Sequence, residues 1–131
     1  MTQNAQPVPA GAQTPTVLVV EDEVLARAAI AQHLRDNGLV VFEAADVEQA
    51  LILLHAEKSI AVVFADIRLP GAQNGIDLTR AIQRQYPQIK VLLTSGVSQS
   101  DQESVGGIPL LKKPYFLFDV ERQIRALLGV S

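Results

Sequence analysis

From Thr16 onward the chain alternates short apolar runs with stretches of helical periodicity, the pattern of a parallel sheet joined by crossover helices. Five runs predict strands: TVLVV over 16–20, VVFEA over 40–44, IAVVFA over 60–65, KVLLT over 90–94 and PLLK over 109–112. The first run has no polar alternation, as expected of a strand covered on both faces. Leu25, Ala29, Ile30 and Leu34 then recur at helical spacing up to Asn37-Gly38, where glycine can take a positive φ and stop the helix. Asp46 is placed to cap a second helix carrying Val47, Ala50, Leu51 and Leu54 on one face. A turn-rich stretch over 69–75 precedes a third helix with Ile76, Leu78, Thr79 and Ile82, which closes before Tyr86-Pro87. A last helix directs Leu117, Val120, Ile124, Leu127 and Leu128 inward. The predicted class is α/β, a doubly wound five-stranded parallel sheet with helices on both faces, because crossovers are right-handed.

Composition narrows the field. The 131 residues make one domain over 16–131, behind an uncharged leader over 1–15 rich in Gln, Pro, Ala and Gly and expected to be flexible. A net charge of −3 with scattered basic residues argues against nucleic-acid binding, which needs clustered Lys and Arg. Cysteine is absent, which excludes disulfides, thiolate zinc sites and cysteine nucleophiles. No apolar stretch reaches the ~18 residues of a membrane span, so no membrane partner is expected and the expected location is cytoplasmic.

In a sheet of this kind ligands bind outside the carboxyl ends of the strands. The residues standing there are Glu21 and Asp22, Asp66, Ser95, and Lys113-Pro114. Carboxylates converging on one rim repel unless a cation sits among them, and hard oxygen donors without His or Cys favour Mg²⁺. A serine hydroxyl and a lysine ammonium on that rim can hold the oxygens of a phosphoryl group. Asp66 in the middle is then a carboxylate nucleophile.

The segments VLVVEDE, FADIRLPGAQNG, VLLTSG and LLKKPY, in this order, resemble the receiver domain of bacterial two-component response regulators. The resemblance covers 16–130, and the 44 positions from Asp22 to Asp66 match the family spacing. It implies a flavodoxin-like strand order 2-1-3-4-5 and Mg²⁺-dependent phosphorylation of Asp66 by a histidine kinase or a histidine phosphotransfer protein. Asp22 would ligate the metal directly, Glu21 through water, and Asp66 and the backbone carbonyl of Arg68 would complete the protein ligands. Ser95 matches the switch hydroxyl and Lys113 the family's lysine, with Lys113-Pro114 resembling its cis turn. Output would be contact with a downstream protein by a monomer or weak dimer. Such a domain is not an enzyme in the usual sense, since it catalyses only its own phosphorylation and slow dephosphorylation.

Plainer roles suit several neighbours. Glu23 fits an acidic helix start, Lys112 a solvated side chain, His33 and His55 structural or exposed positions, and Phe42 and Tyr86 packing. The chain departs from the family in three ways. Leu110 stands three residues before the lysine, where many receivers carry a mobile aromatic ring. Only 18 positions separate Ser95 from Lys113, and their polar content, SQSDQESVGG, predicts a short or poorly ordered helix. The sequence ends soon after the last helix, so output without a module of its own is the expectation. Arg68 and Val97, two positions after the acceptor and the switch hydroxyl, suit an attacking water poorly and predict a long-lived phosphoryl group. The alternatives are a receiver module excised from a hybrid histidine kinase, a degenerate receiver acting as a binding scaffold, and a flavodoxin-like cofactor carrier. The last would need a hydroxyl- and glycine-rich phosphate loop where Glu21-Asp22-Glu23 stands.

Overall fold

A computed structural model describes residues 15–96 and 106–130. Its elements are β1 (Thr16–Val20), α1 (Val24–Asp36), β2 (Val40–Ala44), α2 (Val47–Ala56), β3 (Ile60–Asp66), α3 (Gly75–Gln85), β4 (Lys90–Ser95), β5 (Leu110–Lys112) and α4 (Leu117–Leu128). The strands form one parallel sheet in the order β2-β1-β3-β4-β5, the doubly wound arrangement expected. The expected helix between the fourth and fifth strands, and all but the last residue of the expected leader over 1–15, lie outside the described residues.

Strand alternation splits the core in two. Leu18, Val20, Val63, Ala65 and Leu93 pack against Val47, Ala50 and Leu54 of α2 and Leu78 and Ile82 of α3. Val17, Val19, Val62, Phe64 and Leu92 pack on the other face against Ile30, Ala31 and Leu34 of α1 and Val120 and Ile124 of α4. Both faces of β1 and β3 are thereby covered, which accounts for their unbroken apolar runs. Phe42 and Tyr86 are packing residues, as expected.

The helices begin and end at local signals. Glu23 caps α1 by accepting from the Ala26 amide at 2.7 Å, and Asp46 caps α2 through Gln49 at 2.8 Å. Asn74 and Asp77 form a reciprocal capping box on α3. At the end of α4, Gly129 adopts φ 76°, the left-handed turn that favours glycine.

Some expected boundaries and faces shift. β3 and β4 each run one residue further, to Asp66 and Ser95, so both polar residues take their direction from the sheet. β5 starts at Leu110 because Pro109 has no N–H to give the ladder, although its carbonyl still accepts from Leu93 at 3.0 Å. Leu25 and Ala29 do not face the core; Leu25 is 76% exposed. Five steps of ~100° place Leu25 about 140° around the helix from Ile30, so a periodicity counted from Leu25 picked the wrong stripe. Among the described residues, no helix is long and apolar enough to cross a membrane.

Candidate functional site

The carboxyl ends of β1, β3, β4 and β5 bring the expected polar residues to one rim. Alternation carries Asp66 to the same side of the sheet as Val62 and Phe64, toward α1 and α4. Asp66 is only 5% exposed, and both of its carboxylate oxygens are engaged. Oδ1 accepts from the Arg68 amide at 2.9 Å, and Oδ2 from the Lys113 ammonium at 2.5 Å. The peptide linking Lys113 to Pro114 is cis, as the resemblance implied. The Lys113 amide donates to the Ser95 carbonyl at 2.9 Å, tying the ends of β4 and β5 together. Ser95 itself is fully buried. Beside it, the Thr94 hydroxyl donates to the Leu111 carbonyl at 2.8 Å, and Thr94 stands in register with Asp66.

The acidic pair behind β1 divides its exposure. Glu21 is buried, while Asp22 is exposed. Glu21 Oε2 accepts from the Glu23 amide at 3.0 Å. Burial pushes the Glu21 carboxyl above its ordinary pKa, and the charge of Asp66 and the contact with Asp22 add to this. The Glu23 amide and Lys113 pull the other way without reversing it. At Lys113 burial lowers the pKa. The hydrogen bond to Asp66, followed by the charges of Asp66, Glu21 and Asp22, outweighs that and holds it above the usual lysine value. The rim therefore carries three carboxylates against one ammonium.

The donors expected for a metal, Glu21, Asp22, Asp66 and the Arg68 carbonyl, come from the ends of β1 and β3. Among the described residues, no three acidic or histidine side chains are gathered into a closed metal cluster. Lys113 sits on one Asp66 oxygen, and Asp22 points its exposure to solvent rather than into a cage. His33 pairs with Glu121 of α4 at 3.0 Å, and His55 is exposed, so both histidines take plain roles. Val97 lies outside the described residues.

Three residues important to the rim were missed from the sequence. Gly75 abuts the Asp66 backbone: a Cβ there would lie 2.4 Å from the Asp66 carbonyl oxygen. Tyr115 meets Phe64 edge-on at 6.0 Å between centroids, and burial, with Glu21 and Asp66 nearby, pushes its phenol up to about 12. Arg27 donates to the Glu21 carbonyl at 2.8 Å. The Asn74-Gly75 turn signal pointed to Gly75 without revealing why it must be glycine; nothing in the sequence pattern marked the other two.

The sequence model of the response regulator receiver domain matches residues 17–112. ArcA, the aerobic respiration control protein of Escherichia coli K12, is 32% identical over 120 residues, covering 89% of this chain and 50% of ArcA. An NtrX-like response regulator of Rickettsia felis is 33% identical over 104 residues, covering 76% of this chain and 22% of that protein. The chain thus spans between about a fifth and a half of these relatives. Among solved structures, the receiver domain of the hybrid histidine kinase CckA superposes with a TM-score of 0.74 at 29% identity, over 86% of this chain and 98% of that one. The receiver domain of NtrX from Brucella abortus does so with a TM-score of 0.76 at 28% identity, over 88% and 99%. Family match, strand order and neighbours agree, and the chain belongs to the response regulator receiver domain family of two-component systems.

Proposed function

We propose that Asp66 accepts a phosphoryl group from a phosphohistidine on a histidine kinase or phosphotransfer protein. The observation that carries this is the state of Asp66: a nearly buried carboxylate at a sheet's carboxyl edge, held by an ammonium and a backbone amide. In the transfer, an Asp66 oxygen attacks phosphorus as the phosphorus–nitrogen bond breaks, and the imidazole keeps the electron pair. Lys113 stays paired with charge throughout, first on the carboxylate and then on a phosphoryl oxygen. The Ser95 hydroxyl hydrogen-bonds a second phosphoryl oxygen. Lys113 already stands at Asp66 before transfer, and positioned charge of this kind is most effective in the transition state.

The donor chemistry of the rim suits magnesium. It is all hard oxygen, and the carboxylates of Glu21, Asp22 and Asp66 stand against the single ammonium of Lys113. Asp22, Asp66 and the Arg68 carbonyl would hold the ion, with Glu21 acting through water. When bound, it supplies positive charge beside the transferring group. Output is contact with a downstream protein, and the site works in the cytoplasm. The likeness to the CckA receiver favours a second setting, the same chemistry performed as one module of a hybrid kinase.

Intact-protein mass spectrometry with acetyl phosphate and Mg²⁺ tests the proposal. A single phosphoryl adduct is expected on the wild type, none on Asp66→Asn, and a reduced yield on Lys113→Ala. An undiminished adduct on Asp66→Asn would move the acceptor elsewhere. No adduct on the wild type, from either acetyl phosphate or a phosphorylated kinase, would leave a scaffold.

A further inference from the structure

The acidic pair is held by a contact that the proposed chemistry does not use. The peptide bond joining Glu21 to Asp22 has its carbonyl bound by Arg27 Nη1 at 2.8 Å. The amide on the other side of Glu21 donates to the Ala44 carbonyl at 3.0 Å. Arg27 sits in the first turns of α1 and is itself aimed from β2, where Glu43 accepts from its Nε at 3.3 Å. Glu43 is fixed in turn by Arg35, which bonds its other oxygen at 2.9 Å and the Val41 carbonyl at 2.7 Å. One carboxylate on β2 thus orients two guanidiniums of α1, but only one of them reaches the rim.

We infer that Arg27, aimed by Glu43, is a positioning residue that fixes the peptide between Glu21 and Asp22 and so presets the acidic pair for its cation. The inference rests on the magnesium reading above. A planar guanidinium suits this task because its separate N–H groups can serve a carbonyl and a carboxylate in fixed relative directions. No helix cap does the same work: the Glu23 cap orients α1, and the Glu23 amide holds only the Glu21 side chain. Without the Arg27 guanidinium, the Glu21 amide keeps its bond to the Ala44 carbonyl, but Asp22 loses the restraint on its preceding peptide.

Electrostatics alone predicts a different outcome, which makes the idea testable. Arg27 is a cation near a cation site, so simple charge repulsion says its removal should tighten Mg²⁺ and removal of Glu43 should loosen it. Positioning says both removals loosen it. Arg35 is the structural control, since it makes a similar pair of contacts and touches no part of the acidic pair. Mg²⁺ affinity would be measured by titration calorimetry on wild type, Arg27→Gln, Glu43→Gln and Arg35→Gln, with urea unfolding of each alongside. The expected result is Mg²⁺ binding weakened about 10-fold in Arg27→Gln, equivalent to ~1.4 kcal/mol, and weakened in the same direction in Glu43→Gln. Arg35→Gln should unfold at lower urea but weaken Mg²⁺ far less than Arg27→Gln, because Arg35 reaches the acidic pair only through Glu43. Opposite signs for Arg27→Gln and Glu43→Gln, unchanged affinity in Arg27→Gln, or equal weakening in Arg35→Gln would each overturn the inference. A wild type that binds no Mg²⁺ would instead remove the metal reading on which it rests.

Discussion

Gly75→Ala should damage this protein more through its site than through its helix. Gly75 is buried at the start of α3, and its amide donates to the Ile67 carbonyl at 2.8 Å. An added Cβ would lie 2.4 Å from the Asp66 carbonyl oxygen and 2.8 Å from the Ile67 Cα. Both are backbone atoms, so no side chain can rotate away, and the gap is ~1 Å short of ordinary contact. Overpacking of this kind costs ~1–3 kcal/mol. Alanine recovers part of that, ~0.4–1 kcal/mol, by restricting the unfolded chain. The net is a loss of about 1–2 kcal/mol, or roughly 4–8 °C in midpoint for a domain of this size.

The functional cost should be larger, because the atoms that must move carry the acceptor. A misplacement of ~1 Å can slow a positioned reaction by ~100-fold. Gly71→Ala is the matched control. It has φ 97° and no atom within 4 Å of its added Cβ, so it carries conformational strain of about 1 kcal/mol without pressing on Asp66. Circular dichroism melts and acetyl phosphate time courses on both variants separate the two effects. Gly75→Ala should phosphorylate at least ~10-fold more slowly than Gly71→Ala at comparable stability. A Gly75→Ala protein as stable and as reactive as the wild type would refute the reasoning.

Two further outcomes follow from the ionisable groups. The Arg125 hydrogen bond, then that of His33, holds the Glu121 carboxyl below its ordinary range despite some burial. A depressed carboxylate contributes stability above its unfolded pKa and loses it as pH falls through the folded one. The stability difference between wild type and Glu121→Gln, from urea unfolding, should therefore be full at neutral pH and shrink in acid below the usual carboxylate range. A difference that grew on acidification would contradict the pairing. Tyr115 runs the other way: a phenol raised to about 12 contributes stability that is full below its unfolded pKa and is lost as pH rises from there through about 12. In Tyr86→Phe, Tyr115 is the sole remaining tyrosine. Phenolate absorbance should then titrate near 12, and a midpoint at the ordinary phenol value of ~10 would show the ring to be solvated.

How much was legible depended on whether a feature is periodic or through-space. Short apolar runs marked all five strands, most plainly β1 and β3, because a strand covered on both faces must be apolar throughout. The residues directly after those runs then included Asp66, Ser95 and Lys113, which the fold joins through hydrogen bonds. Leu25 misled because it lies about 140° around α1 from Ile30, so an apolar side chain at near-helical spacing still faces solvent. Arg27 and Glu43 were invisible because a helix-to-strand pair leaves no repeat in the sequence. The need for glycine at 75 is set by the Asp66 carbonyl, nine positions away, which no local turn rule encodes.

The same contacts bear on how a signal could leave a domain with Leu110 where the sequence resemblance led to an expected aromatic. Leu110 is half-buried against the core on the α2 and α3 side, and its side chain has no polar group to exchange between buried and exposed partners. A continuous path from the acceptor nevertheless exists without it. Asp66 Oδ2 binds the Lys113 ammonium, and the Lys113 amide binds the Ser95 carbonyl. On the proposed chemistry, phosphorylation would put new oxygens between Asp66 and Lys113 and draw the Ser95 hydroxyl toward them. Both movements act on the short segment that ends β4. Thr94 resists them, since its hydroxyl anchors β4 to the Leu111 carbonyl of the edge strand. On that chemistry the junction of β4 and β5 would be the element that moves, with Ser95 and Lys113 pulling on it and Thr94 restraining it. An aromatic ring would amplify such a motion, but the hydrogen bonds that start it are already complete.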